Sequence, residues 1–377
     1  MELTDQQKNF QKKVRTFCVE EIAPHADRID NEAVFPEDIM KKVADFGLFG
    51  CVVPEKYGGL GVDTVSYAIA VEEVSRICGS TGITVAAHNS LGVMPFLLFG
   101  TDEQKEKYLP GLARGNGLGA FGLTEPGAGS DAGGTKSVAV KQGNQWIING
   151  RKCFITSAAH SNVVVITAKT EQDEAKRRIS SFIVEKGTPG FIIGKKENKM
   201  GLRGSDTREL IFENMRLSED KLMGNEGEGF KQFLTILDGG RISIGAMALG
   251  LAQGAYDYCL QFVKETERYG KPLTKSQSVQ WKMADMYTQI QCARHLIYYA
   301  ARLEDVHQKF IVESAMAKLY ASEIATKVAH DAIQIVGEPG CTDETPLDRI
   351  YRDVRLCEIG EGTSEIQRMV IARELFK

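Results

Sequence analysis

Near its C-terminus the chain reads Gly360-Glu361-Gly362-Thr363-Ser364-Glu365, one carboxylate between two glycines at the foot of a closing helical pattern. A carboxylate without bulky neighbours approaches a ligand closely, and the peptide N–H groups beside it are free to bind an oxyanion. Glu361 is therefore a candidate general base. The same residues also read as a helix start, with Thr363 as the N-cap and Ser364-Glu365 in the first turn. A second chemistry-bearing stretch lies far upstream, residues 121–131 (FGLTEPGAGSD), whose small residues let a flat ligand approach the backbone.

These segments must be positioned by the elements around them. Thr4 followed by Gln7 predicts a capping box, and Phe10, Val14, Phe17 and Ile22 recur at helical spacing. Helical patterns continue to about residue 114, broken at Gly58-Gly59, Gly61, Pro95 and Gly100. From 118 to 228 the pattern changes to short apolar runs (137–140, 145–148, 163–168, 181–185, 190–194 and 209–212), with Gly143-Asn144 as a hairpin turn. This predicts a small antiparallel β domain. Long helical patterns then return over 242–266, 278–303 and 312–336, and with the closing helix they make an antiparallel four-helix bundle. The class is α+β, with an all-α domain at 1–117, the β domain at 118–228 and the helical bundle at 229–377. The α, β, α order lacks the alternating βαβ units of a Rossmann fold.

With 377 residues, 43% apolar and 25% charged, the chain buries a large core. A net charge of −4 gives no general attraction to nucleic acid or to an anionic membrane, so a phosphate-rich ligand requires a local basic site. No run approaches the roughly 18 apolar residues of a membrane span. The eight cysteines lack CxxC pairing, which predicts isolated buried thiols in a reducing compartment and no metal site. The expected location is cytoplasmic; a mitochondrial matrix protein without its transit peptide looks the same.

Together the two chemistry-bearing stretches resemble the two ends of an acyl-CoA dehydrogenase. Residues 105–110 (KEKYLP), 149–156 (NGRKCFIT), 201–209 (GLRGSDTRE) and 224–230 (GNEGEGF), with Arg352-Asp353, follow in that family's order and spacing. The resemblance covers the whole chain and implies FAD as cofactor. It places Phe121, Leu123, Thr124 and Ser130 against the flavin. Phe154 stands where the family has a ring-covering Trp, and Thr156 lies beside the flavin edge. Gln334 and Gly337 fall at the FAD pyrophosphate of a neighbouring subunit, and Thr363 falls within the cofactor site. Two positions depart from the family: Thr266 stands at its arginine position, with Arg268 the nearest arginine, and Glu338 replaces a glycine. A fixed cation on a diphosphate is hard to replace with a hydroxyl.

The resemblance also implies the chemistry. Two donors, the FAD ribityl 2′-hydroxyl and the base's own N–H, polarise a thioester carbonyl. The base removes the α-proton while the β-hydrogen leaves as hydride. The family's alternative base position holds Gly240, which leaves Glu361. Asp238, Arg241 and Ser130 match residues that meet the CoA moiety, although Arg241 equally reads as a structural ion pair. Gly360 stands where a tyrosine is usual and Gly362 follows the base; the missing ring gives room for a branched or cyclic acyl group unless a neighbour fills it. The pocket floor falls on the helix around 84–95, where His88 reads as a packed or surface residue.

The implied function is oxidation of a short-chain, branched or cyclic acyl-CoA to the 2-enoyl-CoA, with electrons passed to electron-transfer flavoprotein. The same residues serve an enoyl-CoA reductase running the reverse reaction. A non-redox acyl-CoA-binding paralogue with impaired FAD binding is motivated by Thr266 and Glu338, and a flavin monooxygenase uses the same scaffold; an intact Glu361 argues against both. The resemblance further implies a homotetramer, and shared FAD contacts require at least a homodimer.

Overall fold

The computed structural model describes residues 2–170 and 178–377. Seven helices build the first part: α1 (Asp5–Phe17), α2 (Ala26–Glu32), α3 (Glu37–Phe46), α4 (Thr64–Ile77), α5 (Gly79–Ala87), α6 (Met94–Phe99) and α7 (Asp102–Ala113). The Thr4–Gln7 capping box is present, and Gln7 Nε2 also donates to Asp63, the N-cap of α4, at 2.9 Å. Helix α4 is buried along most of its length, and its carboxylates are neutralised from both sides. Glu72 accepts from Arg294 at 2.7 Å and from Tyr298 at 2.6 Å, while Glu73 accepts from Arg15 at 2.6 Å. Buried carboxylates persist only when paired in this way.

The expected floor helix contains a π-helical turn. This turn, His88–Val93, lies between α5 and α6, and Pro95 sits in the first turn of α6. His88 is buried, and its Nδ1 accepts from the Gly119 N–H at 3.1 Å.

Eight strands follow: β1 (Leu118–Gly122), β2 (Val138–Gln142), β3 (Gln145–Thr156), β4 (Ser161–Lys169), β5 (Ile179–Glu185), β6 (Phe191–Lys196), β7 (Thr207–Ser218) and β8 (Leu222–Met223). Gly143-Asn144 turns β2 into β3 as expected. The sheet is mixed where an antiparallel one was expected, because β1 runs parallel to β4. Every residue of β1 is buried, so the strand carries no apolar–polar alternation to reveal it.

The last part holds α8 (Gly229–Glu265), the short pair β9 (Glu267–Arg268) and β10 (Lys271–Pro272), α9 (Gln277–Asp305), α10 (Ile311–Val336), α11 (Leu347–Asp353), α12 (Arg355–Ile359) and α13 (Ser364–Leu375). Helices α8, α9, α10 and α13 form the bundle. Helix α8 starts 13 residues before the expected 242, running straight through Gly239-Gly240. Two helical stretches, Gly79–Phe99 and Gly229–Glu265, are long and apolar enough to cross a membrane by length and composition, contrary to the expectation. Both are mostly buried inside the protein, as core helices are. No cysteine is in a disulfide; six are buried, while Cys292 and Cys341 are exposed.

Candidate active site

The glycine-rich stretch leaves β1 as an open loop. A Cβ placed on Gly127 or Gly129 would meet nothing within 4 Å, and Ser130 is exposed. The loop is held from behind by residues that the sequence reading quoted but gave no role. Lys152, buried on β3, donates to the Leu123 carbonyl at 3.1 Å and to Glu125 Oε1 at 2.7 Å. Glu125 also accepts from the Thr135 hydroxyl, from Lys136 N at 2.5 Å and from Ser137 N at 3.1 Å. Burial alone would raise the pKa of Glu125; the Lys152 charge and these hydrogen bonds outweigh it and hold the carboxyl down at about 2. Thr124 is fixed through its carbonyl, which accepts from Cys153 N at 2.8 Å. Phe121 turns its side chain into a core cluster with Val93, Val165 and Phe233, leaving backbone for a ligand.

Beside this loop β3 breaks register between Lys152 and Ile155, and Phe154 stands in the break with φ 58° and 66% of its surface exposed. A bulky residue rarely adopts this backbone region, and a bulge is a common means of re-aiming a side chain. Thr156, two residues on, is partly buried and pairs with Thr207. An outward aromatic, an uncluttered glycine loop and a partly buried hydroxyl fit a flat heteroaromatic ring such as a flavin.

Thr363 does cap α13, its hydroxyl accepting from Ile366 N at 3.3 Å, so the cap reading holds, and it leaves the Glu361 side chain free. Glu361 itself lies in the left-handed region, φ 52°, followed by Gly362 at φ 95°. This backbone aims the carboxylate at α8, where Oε2 is buried without a hydrogen-bond partner. A Cβ on Gly240 would collide with that Oε2, so the glycine at the alternative base position makes room for the carboxylate supplied from the loop. Burial pushes the Glu361 carboxyl up to about 8, against the opposing charges of Lys318 and Arg241. An orphaned, desolvated carboxylate with a raised pKa, against a glycine that leaves it room, marks a candidate proton-transfer group.

Arg241 is buried and paired with Asp238 at 2.5 Å, one turn apart on α8, so the ion-pair reading holds. Its Nε has no partner. Burial raises the Asp238 pKa despite the pairing. The space left by Gly360 is narrowed by Leu356, which comes within 3.3 Å of the missing Cβ position.

The remaining cofactor candidates gather elsewhere. Arg268 donates to the Val336 carbonyl at 2.7 Å and stands 3.2 Å from where a Gly337 Cβ would be; Gln334 is exposed nearby. Gly337 leaves α10 at φ 82°. Gln334 lies 16 residues along α10 from Lys318, which contacts the Glu361 loop, so about 24 Å of helix separates the two groups. Within one copy of the chain these candidates therefore lie far from the Glu361 loop.

A buried, unpartnered carboxylate and, on the β domain, an open glycine loop flanked by an outward aromatic are the parts that a flavoprotein oxidoreductase removing a proton from carbon would use. Three family descriptions match the chain in order: acyl-CoA dehydrogenase N-terminal domain over 4–116, middle domain over 120–215 and C-terminal domain over 227–376. The probable acyl-CoA dehydrogenase YngJ of Bacillus subtilis is 49% identical over 377 residues, covering 100% of this chain and 99% of that protein. The acryloyl-CoA reductase (NADH) of Anaerotignum propionicum is 47% identical, covering 100% and 95%. Among solved structures, butyryl-CoA dehydrogenase from Megasphaera elsdenii superimposes with a TM-score of 0.97 at 40% identity, covering 100% of both chains. A chain from the structure described as "Electron transferring flavoprotein of Acidaminococcus fermentans: Towards a mechanism of flavin-based electron bifurcation" gives 0.98 at 42% identity, covering 100% and 99%. An acyl-CoA dehydrogenase complexed with FAD from Bacillus anthracis gives 0.94 at 32%, covering 100% and 67%. The chain belongs to the acyl-CoA dehydrogenase family. It is an FAD-dependent oxidoreductase acting on CH–CH bonds.

Proposed function

We propose that this enzyme dehydrogenates a short-chain, branched or cyclic acyl-CoA to its 2-enoyl-CoA, with Glu361 as the base and electron-transfer flavoprotein as the acceptor. The observation that carries the reading is the buried, unpartnered Glu361 Oε2 against Gly240. The carboxylate takes the α-proton of the thioester, and the Glu361 N–H donates to the thioester oxygen, where negative charge develops. Arg241 and Lys318 favour the anionic form of the base from behind. FAD, when bound, supplies the acceptor for the β-hydride. Residues 123–130, Phe154 and Thr156 would hold it. Leu356 beside Gly360 limits the room for a bulky acyl group and favours the short-chain members of the proposed class.

The A. fermentans structure supports electron-transfer flavoprotein as the partner, and the acryloyl-CoA reductase relative supports a second reading in which the same residues run the reaction towards the saturated acyl-CoA. The separation of Arg268, Gln334 and Gly337 from the base loop supports assembly in which a second copy completes each site, as a homodimer or a homotetramer.

The test is anaerobic addition of butyryl-, isobutyryl- and cyclohexanecarboxyl-CoA to FAD-loaded wild type and Glu361→Gln. One acyl-CoA is expected to bleach the wild-type flavin and leave the variant oxidised. Bleaching at wild-type rate in the variant would remove Glu361 from the mechanism.

A further inference from the structure

Among the described residues two lysines are completely buried, Lys152 and Lys318. Lysine is almost never fully buried unless paired. Lys152 has its carboxylate in Glu125, at 2.7 Å. Lys318, in the middle of α10, has none within 4.0 Å among the described residues; its hydrogen bond goes to the main-chain carbonyl of Gly362, 2.6 Å away. A cation has therefore been taken out of water to reach the peptide that follows the base.

That peptide needs holding. Glu361 sits at φ 52°, a left-handed region that an L-residue with a bulky side chain rarely adopts. Such strain persists only where the surroundings over-determine it. The Gly362 carbonyl is the point of restraint, because it accepts from both Lys318 Nζ and Gln367 Nε2, the latter at 2.9 Å. Gln367 belongs to α13, so two helices grip one carbonyl, and the grip sets the direction in which Glu361 leaves the backbone. The same direction brings Oε2 into the space that Gly240 leaves open.

We propose that Lys318 is a positioning residue for the proton-abstracting carboxylate: its ammonium fixes the Gly362 carbonyl and keeps a positive charge behind Glu361. The inference rests on the reading of Glu361 as the base. It concerns two separable effects, the geometry of the loop and the charge that favours the anionic base.

The other groups facing this locus come from the neighbouring helices, including Glu304 of α9, which lies against Gly239 and which burial pushes up to about 7. Arg241 and Asp238 lie on α8, Tyr67 on α4, Cys357 and Glu358 on α12, and Glu365 and Arg373 on α13. Asp238 holds Arg241, and Glu358 is held by Arg355 and Thr326. Burial pushes the Cys357 thiol up to about 12, which leaves it neutral. Burial lowers Lys318 to about 8, so it still carries its charge at neutral pH. Lys318 and Arg241 are the cations that favour a Glu361 anion.

The experiment uses the FAD-loaded enzyme with butyryl-CoA and the variants Lys318→Met and Lys318→Arg, with Glu361→Gln as control. Flavin bleaching is followed against pH, and hydrogen exchange is measured on the segment 357–367. Methionine removes both bond and charge: the rising limb of the pH profile is expected to move up by about one pH unit or more, and loop amides to exchange about tenfold faster. Arginine keeps the charge and cannot reproduce the compact contact to the carbonyl, so its limb is expected to stay in place while loop exchange quickens. A folded, FAD-loaded Lys318→Met enzyme with an unchanged limb and unchanged exchange overturns the proposal. If that variant does not fold, unchanged loop exchange in Lys318→Arg overturns it. Should Glu361→Gln still bleach with butyryl-CoA, the reading of the base fails, and the exchange measurement alone decides whether Lys318 restrains the loop.

Discussion

At the scale of single residues, the site is defined by a side chain present at one position and absent at another. Glu361 reaches α8 because Gly240 has no Cβ to stop it, and the steric argument gives a test independent of the carboxylate itself. Gly240→Ala would place a methyl group where Oε2 now lies. Helix α8 gains from the exchange of glycine for alanine, so the fold and FAD content should survive. The displaced base should slow anaerobic flavin reduction by about 100-fold, the scale of loss for a reacting group moved by about 1 Å. A Gly240→Ala enzyme that reduces its flavin at wild-type rate would mean that the working carboxylate lies elsewhere. Glu361 also sets a pH dependence. The base works as the anion, and burial lifts its carboxyl to about 8, so kcat/KM should climb as pH rises from 7 through 8 and level off above it. A profile already flat at pH 6 would contradict that environment.

Elements position these residues, and they differ in how plainly the sequence announces them. The capping box at Thr4, the Gly143-Asn144 turn and the Gly-Glu-Gly loop with its Thr363 cap are local chemistry, complete within a few residues, and all were legible. Strand β1 was hidden because both its faces are buried and its residues are small. The first 13 residues of α8 were hidden because Gly239-Gly240 reads as a break until Glu361 and Glu304 are seen against them. Lys318 lies 44 residues from the carbonyl it holds, and no periodicity connects the two. The same holds for Lys152 and Glu125, 27 residues apart, which shape the ring-binding loop from inside the sheet. Glu125→Gln would leave the Lys152 ammonium buried without a counter-charge, a loss of about 3–5 kcal/mol. Urea unfolding followed by the fluorescence of Trp146, buried in the same sheet, should show the loss, with FAD retention falling in parallel. In the wild type the contribution of Glu125 has a defined window. Its folded pKa lies below its ordinary 4.5, so its stabilisation is complete above about 4.5 and disappears as pH falls towards 2. Unfolding that is insensitive to Glu125→Gln at pH 7 would show that the pair is not what holds the loop.

At the scale of the whole molecule, the question is why the candidate cofactor residues are divided between the glycine loop after β1 and the far end of α10. Arg268, on the short β9–β10 hairpin, uses one donor on the Val336 carbonyl, and a guanidinium has five. The side chain is exposed, and its guanidinium stands against Gly337. Such an arrangement suits an anion belonging to a neighbouring copy, and under the proposed assembly Arg268 would take the place of the family arginine that Thr266 replaces. Arg268→Ala should therefore weaken FAD binding by about 10- to 100-fold, the value of a charge-assisted hydrogen bond to phosphate. The proposed oligomer should persist, because the contact removed is with cofactor and the residue is exposed on a hairpin outside the core. Sedimentation velocity on the FAD-loaded protein, run beside fluorescence titration of the apoprotein with FAD, separates the two effects. Weakened FAD binding with an unchanged sedimentation coefficient supports a site completed by a second copy. A wild-type protein that sediments as a monomer while holding one FAD per chain would show that a single copy supplies every contact, and Arg268 would be left with the C-terminus of α10 as its sole partner.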